Sequence, residues 1–189
     1  MLKTRSEIII TPSSIVLDGQ RLETWETGIG MLNEAYRRYV NDYPKFFKMD
    51  GLCKLGFIAS ELLLSHLGEE RFTPREDRAI VLFNSSGSIE ADVHYQKTIS
   101  DPEDFFPSPS LFVYTLPNIV TGEIAIRNKY LGETSFYVLE EYNEQAISDL
   151  IGCALTDDST TSVLCGWVDF YDQNRFEARV EIRELRVKS

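Results

Sequence analysis

Residues 78–88 read Arg-Ala-Ile-Val-Leu-Phe-Asn-Ser-Ser-Gly-Ser, and this stretch decides the class of fold. An almost uninterrupted apolar run is preceded by Pro74 and followed by the turn-forming residues 84–87. Such a run, without polar alternation, is typical of a strand buried on both faces in a sheet that helices cover. Ser88 is then a good N-cap for a helix that we expect to end near Ile99. The stretch therefore predicts a strand–turn–helix unit of an α/β fold.

The rest of the chain continues this alternation. The strongest helix is predicted from Lys48 to Leu67, because its apolar residues recur at intervals of three and four and Gly68 is a natural C-terminal stop. Residues 24–39 are mixed and aromatic, and we expect short helical pieces there. The order of elements indicates an α/β fold with a single, mixed but mostly parallel five-stranded sheet flanked by helices. The remaining predicted elements are strands at Glu7–Ile10, Thr134–Leu139, Ser162–Phe170 and Phe176–Val187, and helices at Leu116–Asn128 and Tyr142–Leu155.

Composition excludes several classes of protein. The 189 residues include 19 Lys and Arg against 30 Asp and Glu, a net charge of −11. We therefore expect neither nucleic acid nor an anionic membrane surface as a partner.

The length favours one domain over residues 1–189. The apolar run Ile8–Ile10 is too short for a signal sequence, and no stretch approaches the roughly 20 apolar residues of a membrane span. We expect a cytoplasmic protein.

The cysteines and histidines offer no clear catalytic or metal site. Cys53, Cys153 and Cys165 are odd in number, lack the spacing of zinc ligands and fall on apolar faces of predicted elements. They are expected to be inert core thiols in a reducing compartment. No orienting carboxylate or nucleophile is evident for His66 or His94, so we interpret the first as a partly buried packing residue and the second as solvated. Neither a metal nor a cofactor is expected.

The loop at residues 84–88 follows a predicted buried strand and opens a helix, where α/β proteins often bind ligands. Residues 84–88 lack the lysine of a phosphate-binding loop and the glycine spacing of a dinucleotide site, so a tight turn is favoured over a ligand site. Glu140 and Glu141 lie at a strand–helix junction, where the helix dipole stabilises acidic residues. From the residues alone, no function follows.

Several segments, taken together, resemble a known family. Residues 106–126 read Phe-Pro-Ser-Pro-Ser-Leu-Phe-Val-Tyr-Thr-Leu-Pro-Asn-Ile-Val-Thr-Gly-Glu-Ile-Ala-Ile and resemble a segment of the β-ketoacyl-acyl-carrier-protein synthases. The strand after Gly132 and the run Val163-Leu-Cys-Gly-Trp-Val-Asp169 resemble the strands on either side of the helix that carries the nucleophile in those enzymes. Residues 80–88 resemble a strand and its glycine-bearing loop. The resemblance covers about residues 44–170.

The resemblance implies a thiolase-like fold, of which this chain would form a single truncated, N-terminal-half-like domain. Counting from Gly132 puts Glu141 in the position of the nucleophilic cysteine, and a shift by one residue puts Glu140 there. Neither residue can hold an acyl chain as a thioester, so condensation by this chain alone is not expected. The matching segments also contain five residues that we expect to bind substrate, namely Asn84, Ser86, Gly87, Pro117 and Asn118.

Three functions remain open. The first is an inert subunit that pairs with a competent synthase in fatty-acid or polyketide biosynthesis, as the chain-length factors of the family do, with aryl-polyene synthesis as an example. The second is a stand-alone homodimer that binds an acyl thioester, and the third is a weak decarboxylase or hydrolase in which Glu140 or Glu141 is the base. The resemblance implies a dimer through the uncharged strand Thr134–Leu139, whose exposed edge favours pairing.

An acyl carrier protein is acidic and needs a basic docking surface. This chain could offer one only if its basic residues cluster, so we expect a carrier to dock on the partner. The two candidate clusters are Arg37, Arg38, Lys45 and Lys48, and Arg175, Arg179 and Arg183.

Overall fold

The computed structural model describes residues 2–156 and 159–185, whose strands form one sheet. Helices cover both faces of that sheet, although unequally. The strands are β1 (Leu2–Thr11), β2 (Ser14–Leu17), β3 (Gln20–Arg21), β4 (Arg78–Asn84), β5 (Thr134–Val138), β6 (Ser162–Asp172) and β7 (Arg175–Leu185). The helices are α1 (Gly28–Tyr39), α2 (Gly51–Leu67), α3 (Ile89–Lys97), α4 (Pro109–Val113), α5 (Ile119–Asn128) and α6 (Glu144–Cys153), with 3-10 turns at Pro44–Lys48 and Pro102–Asp104.

The strand order is β3-β2-β1-β7-β6-β4-β5. The α/β class and the single mixed sheet flanked by helices are confirmed. Two details of the prediction need correction: the described residues form seven strands rather than five, and only the β4–β5 and β4–β6 pairs are parallel. The reason is the start of the chain, which folds back at Pro12 and Ser13 and again at Asp18 and Gly19 and so adds two antiparallel pairs. β1 then joins β7 antiparallel over almost its whole length.

The helix at residues 28–39 is continuous, so the expectation of short helical pieces is wrong. One side of α1 buries Met31, Leu32, Ala35 and Tyr36, at the spacing of a regular helix. α2 begins three residues later than predicted, because residues 44–48 form a separate 3-10 turn. The Asp50 carboxylate caps α2 by accepting from the Cys53 N–H at 2.9 Å, and Gly68, with φ of 64°, ends it.

Two apolar clusters hold the layers together. The larger lies between the sheet and α1, α2 and α5, and the smaller lies under α6, where Ile147 and Ile151 pack on β4 and β6. Cys53 and Cys165 are buried as expected, but Cys153 is exposed. The prediction failed there because Cys153, in the last turn of α6, points away from the apolar side of that helix.

β1 begins at Leu2, well before its predicted start at Glu7. The other bounds agree with the sequence-based expectations to within about three residues. β7 spans Arg175–Leu185, and residues 186 and 187, which the prediction included, lie outside the described residues. Among the described helices none is long and apolar enough to cross a membrane.

Candidate functional site

The loop after β4 forms a closed turn. Asn84 is fully buried; its Nδ2 donates to the Gly87 carbonyl at 2.8 Å and its Oδ1 accepts from the Gly87 N–H at 3.1 Å. Gly87 has φ of 59°, a conformation that glycine adopts without strain. The structure therefore brings Asn84 and Gly87 together, but with the polar groups of the asparagine side chain bonded within the loop.

Asp169 on β6 holds the loop against the carboxyl edge of the sheet. Its buried carboxylate accepts from the Ser85 N–H at 3.2 Å, the Ser85 hydroxyl at 2.7 Å and the Ser86 N–H at 3.3 Å, and from the Ser86 hydroxyl as well. The Ser86 hydroxyl therefore already donates its hydrogen bond to Asp169. Sequence reasoning missed this role of Asp169, because nothing local relates it to residues more than 80 positions earlier.

Pro117 and Asn118 lie at the start of α5. Asn118 is exposed, and its carbonyl accepts from the Thr121 hydroxyl at 2.8 Å and the Gly122 N–H at 3.3 Å. Neither residue lines the cleft described next. A bond from the Ser88 hydroxyl to the Thr115 carbonyl at 2.5 Å ties this segment to the loop after β4.

Glu140 and Glu141 follow β5 and line a cleft of about 430 Å³ at the carboxyl edge of the sheet. We call it the carboxyl-edge cleft. Ser85 and Asp169 lie on one side of it, and among the described residues Arg175 supplies the one basic group of its lining. The remaining lining is aromatic or acidic and consists of Tyr142, Trp167, Tyr171, Phe176 and Glu177. Both Glu140 and Glu141 are exposed, and in the described residues neither makes a hydrogen bond or ion pair.

No thiol or imidazole lines this cleft. Burial raises the pKa of the thiols of Cys53 and Cys165 well above the ordinary range, so neither is a ready nucleophile. His66 is exposed and pairs with Asp18 at 3.1 Å, which corrects its interpretation as a partly buried packing residue. His94 is exposed and pairs with Glu90 at 3.3 Å. The cleft can hold a polar or aromatic group, but it offers no nucleophile suited to acyl transfer.

A second cavity, of about 380 Å³, lies between the start of α2, α3 and α4. Its apolar walls include Leu111 and Phe170, and its polar side holds Asp50 and Lys54. Burial raises the pKa of Asp50 to about 6 and lowers the pKa of Lys54. The sequence held one signal of this site, an aspartate directly before an apolar helix.

β5 is an edge strand of the sheet, and within the described residues nothing pairs with its outer side. It reads Thr-Ser-Phe-Tyr-Val and carries no charge. Phe136 packs on the larger apolar cluster, and Tyr137 stacks on Phe83 on the opposite face with ring centres 5.5 Å apart. The strand is therefore anchored through its side chains while its outer backbone groups are free to pair.

The candidate basic clusters are partly neutralised by ion pairs. Arg38 pairs with Glu34 at 2.9 Å and Lys45 with Glu123 at 2.5 Å. In the other set Arg179 pairs with Glu7 and Arg183 with Glu181, both at 2.6 Å, while Arg175 lies over the ring of Tyr171. Within the described residues, the exposed Arg37, Lys48 and Arg175 make no ion pair, so each set keeps some unpaired cations.

Comparison with solved structures shows which proteins share the fold of this chain. No family model and no curated protein matches the chain. Among solved structures it matches a chain of the ishigamide ketosynthase/chain length factor with a TM-score of 0.70 and 14% identity, over 97% of this chain and 62% of that one. It matches a chain of the ketosynthase ApeO in complex with its chain length factor ApeC from Xenorhabdus doucetiae with a TM-score of 0.64 and 14% identity, over 99% of this chain and 80% of that one.

A β-ketoacyl synthase from Burkholderia phymatum STM815 gives a TM-score of 0.62 and 12% identity, over 97% of this chain and 58% of that one. The chain therefore resembles β-ketoacyl synthases in its fold, and the predicted thiolase-like fold is confirmed. The chain spans about three fifths of the length of the first of these matches and of the third. The matched chain of the ApeO–ApeC complex is closer to it in size.

Proposed function

We propose that this protein is a non-condensing, ketosynthase-like subunit that pairs with a competent β-ketoacyl-acyl-carrier-protein synthase, in the manner of a chain-length factor. The observation that carries the proposal is the carboxyl-edge cleft, where Glu140 and Glu141 follow the strand that would lead to the nucleophile. Neither a cysteine nor a histidine lines it. A carboxylate cannot form the thioester that condensation requires, so such a chain acts through a partner.

Pairing through β5 agrees with this role. An uncharged edge strand is a template for another strand, and soluble proteins normally cover or block such edges. Two of the solved structures that share the fold are, by their titles, ketosynthases with chain length factors. We propose the same pathway class for this chain, fatty-acid or polyketide synthesis, with aryl-polyene synthesis as one form.

We place the docking of an acyl carrier protein on the partner. The chain has a net charge of −11, and most of its candidate basic residues are paired with carboxylates. With few unpaired cations in the two candidate clusters, this chain is a poor docking surface for an acidic carrier.

No observation favours the alternative in which Glu140 or Glu141 is a catalytic base. A general base needs neighbours that orient it, and both carboxylates are exposed without a hydrogen-bonding partner in the described residues. A stand-alone homodimer would use the same β5 edge and is separated from our proposal by experiment.

The test is native mass spectrometry of the tagged protein purified from its own cells, with sequencing of any bound chain. We expect a one-to-one complex with a ketosynthase that carries the catalytic cysteine. A homodimer or a monomer without a synthase would overturn the proposal.

Residual catalysis is tested separately with malonyl-coenzyme A as the probe. We expect the chain alone to release no carbon dioxide above the buffer rate, and a Glu140→Ala, Glu141→Ala double variant to behave the same. Turnover by the wild type that the double variant loses, and that a Glu144→Ala control keeps, would identify an enzyme instead.

A further inference from the structure

The free edge of β5 is too small to hold a partner by itself. Its five residues span about 17 Å, and a strip about 10 Å wide along them covers roughly 170 Å². Stable interfaces bury about 800 Å² on each partner. If β5 pairs with another chain, as proposed above, the contact must extend onto one flank of the strand.

The two flanks differ in charge: on the α5 side the exposed charged residues are Lys129 and Glu133, which have opposite signs, whereas the α6 side is acidic throughout. On the α6 side, the segment that follows β5 carries Glu140, Glu141 and Glu144, all exposed. Cores of interfaces are depleted in charged residues, because an unpaired carboxylate is costly to remove from water. This flank is therefore unsuited to close apolar contact.

The other flank is formed by α5, the helix that lies over β4 and β5 at this edge. One side of α5 packs on α2, where Val120 lies against Gly56 and Arg127 pairs with Glu61. Away from α2 and the sheet lie Gly122, where an added Cβ would meet no atom within 4 Å, and Ile126, which is 67% exposed. A glycine beside an exposed isoleucine lets another element approach the helix backbone closely.

One more apolar side chain lies on this side of the edge. Val138, the last residue of β5, is 54% exposed and, two residues from Phe136, lies on the face of the sheet that α5 covers. Large apolar side chains this exposed mark an interaction surface. We define the α5 flank as Gly122, Ile126 and Val138.

We infer that the α5 flank is the second half of the interface, and that the partner ketosynthase packs on Gly122 and Ile126 when the strands pair. The inference rests on the proposed function for the identity of the partner. It goes further in assigning the binding surface to one face of one helix and in excluding the α6 side.

The test compares two helical glycines that both have open space around them. Gly122→Glu places a carboxylate on the α5 flank, and Gly152→Glu, on α6, is the matched control. Both changes replace glycine with a better helix former, so neither is expected to weaken the fold, which a thermal melt verifies. Each tagged variant is expressed in the source cells, and the ketosynthase captured per tagged chain is measured by native mass spectrometry.

We expect Gly122→Glu to reduce the captured ketosynthase at least about tenfold, and Gly152→Glu to leave it unchanged. If the wild type captures the ketosynthase and Gly122→Glu captures as much, the α5 flank is not the interface, while the proposed function stands. If the wild type captures no ketosynthase, the proposed function fails, and this inference fails with it.

Discussion

The Asp50 carboxylate stabilises the fold as a helix cap, but it destabilises the fold when it is charged, because it is buried. It caps α2 through the Cys53 N–H, while burial raises its pKa to about 6. Because the pKa in the folded state is above the ordinary value of 3.8, the folded protein holds a proton that the unfolded chain releases. The charged form therefore weakens the fold above pH 6, and this penalty disappears as the pH falls towards 4.

We predict that Asp50→Asn raises the free energy of unfolding at pH 8 by about 2 kcal/mol, somewhat less than the roughly 3 kcal/mol that the pKa shift represents. Asparagine is an equally good cap without the charge. Urea unfolding of variant and wild type at the same pH isolates the effect, which should vanish near pH 4. Asp101→Asn, at the exposed cap that accepts from the Glu103 N–H, is the control and should show no such trend. A less stable Asp50→Asn variant at pH 8 would contradict this account.

Arg78 and Glu69 form an ion pair whose partners are not equivalent. Arg78 is fully buried and donates to Glu69 at 2.9 Å and to the Ser162 hydroxyl at 2.9 Å. Glu69 also pairs with Arg5 and Arg75, and the nearby arginines lower its pKa. Removing Glu69 leaves a buried cation poorly compensated, whereas removing Arg78 leaves Glu69 still paired.

We predict that Glu69→Gln lowers the free energy of unfolding at pH 7 by about 3 kcal/mol, and Arg78→Met by less. Because the pKa of Glu69 is lowered in the folded state, the contribution of its charge is present above about pH 4.5 and is lost below it. Urea unfolding at pH 7 and pH 4 measures both effects, with the exposed neighbour Glu70→Gln as control. If Arg78→Met lowers the free energy of unfolding more than Glu69→Gln does, Arg78 stabilises the fold through contacts other than its ion pair with Glu69.

Among the elements, the sequence predicts long and regular patterns best. α2, β4 and β6 were expected to within three residues of their observed ends, because each has an unbroken apolar pattern. β2 and β3 were missed: four and two residues are too few to show alternation, and pairing with β1 determines them. The position of Glu140 and Glu141 in a cleft after β5 was predictable, because strand–helix junctions commonly line sites in α/β sheets. The bonds of Asp169 to Ser85 and Ser86 were not, because long-range contacts depend on strand order.

The backbone hydrogen bonds between β5 and β4 show which N–H groups of β5 face outward and could pair with a partner. The Glu133 carbonyl accepts from the Ile80 N–H and the Leu139 N–H donates to the Asn84 carbonyl, both at 2.8 Å. Since neighbouring residues of a strand point their backbone groups to opposite sides, the N–H groups of residues 134, 136 and 138 face outward. We predict that Val138→Pro abolishes capture of the partner while the protein still folds, because proline removes one outward N–H and no bond to β4.

Native mass spectrometry and a thermal melt of the same preparation check this prediction. Val138→Thr keeps the N–H and is the control, with capture expected at the level of the wild type. Full capture by the proline variant would show that β5 does not pair with the partner.

At the scale of the whole molecule, charge separates the proposed heterodimer from a homodimer. Two copies of this chain would together carry twice the net charge of −11. Repulsion of this kind is strongest at low ionic strength, since the screening length is about 30 Å at 0.01 M salt and about 3 Å at 1 M. A partner that also binds an acidic carrier needs basic surface of its own, so pairing with it avoids this repulsion.

We predict that the chain purified without its partner is monomeric at 10 mM salt, and that any self-association through the free β5 edge grows as the salt concentration rises. Screening weakens the mutual repulsion, whereas apolar contacts along the α5 flank do not weaken with salt. Sedimentation velocity at 10 mM and 500 mM sodium chloride measures the association, and Val138→Pro should remove whatever dimer appears at high salt. A dimer equally stable at both salt concentrations would mean that the contacts around β5 outweigh the electrostatic repulsion between two identical chains. That result would favour the stand-alone homodimer over pairing with a ketosynthase.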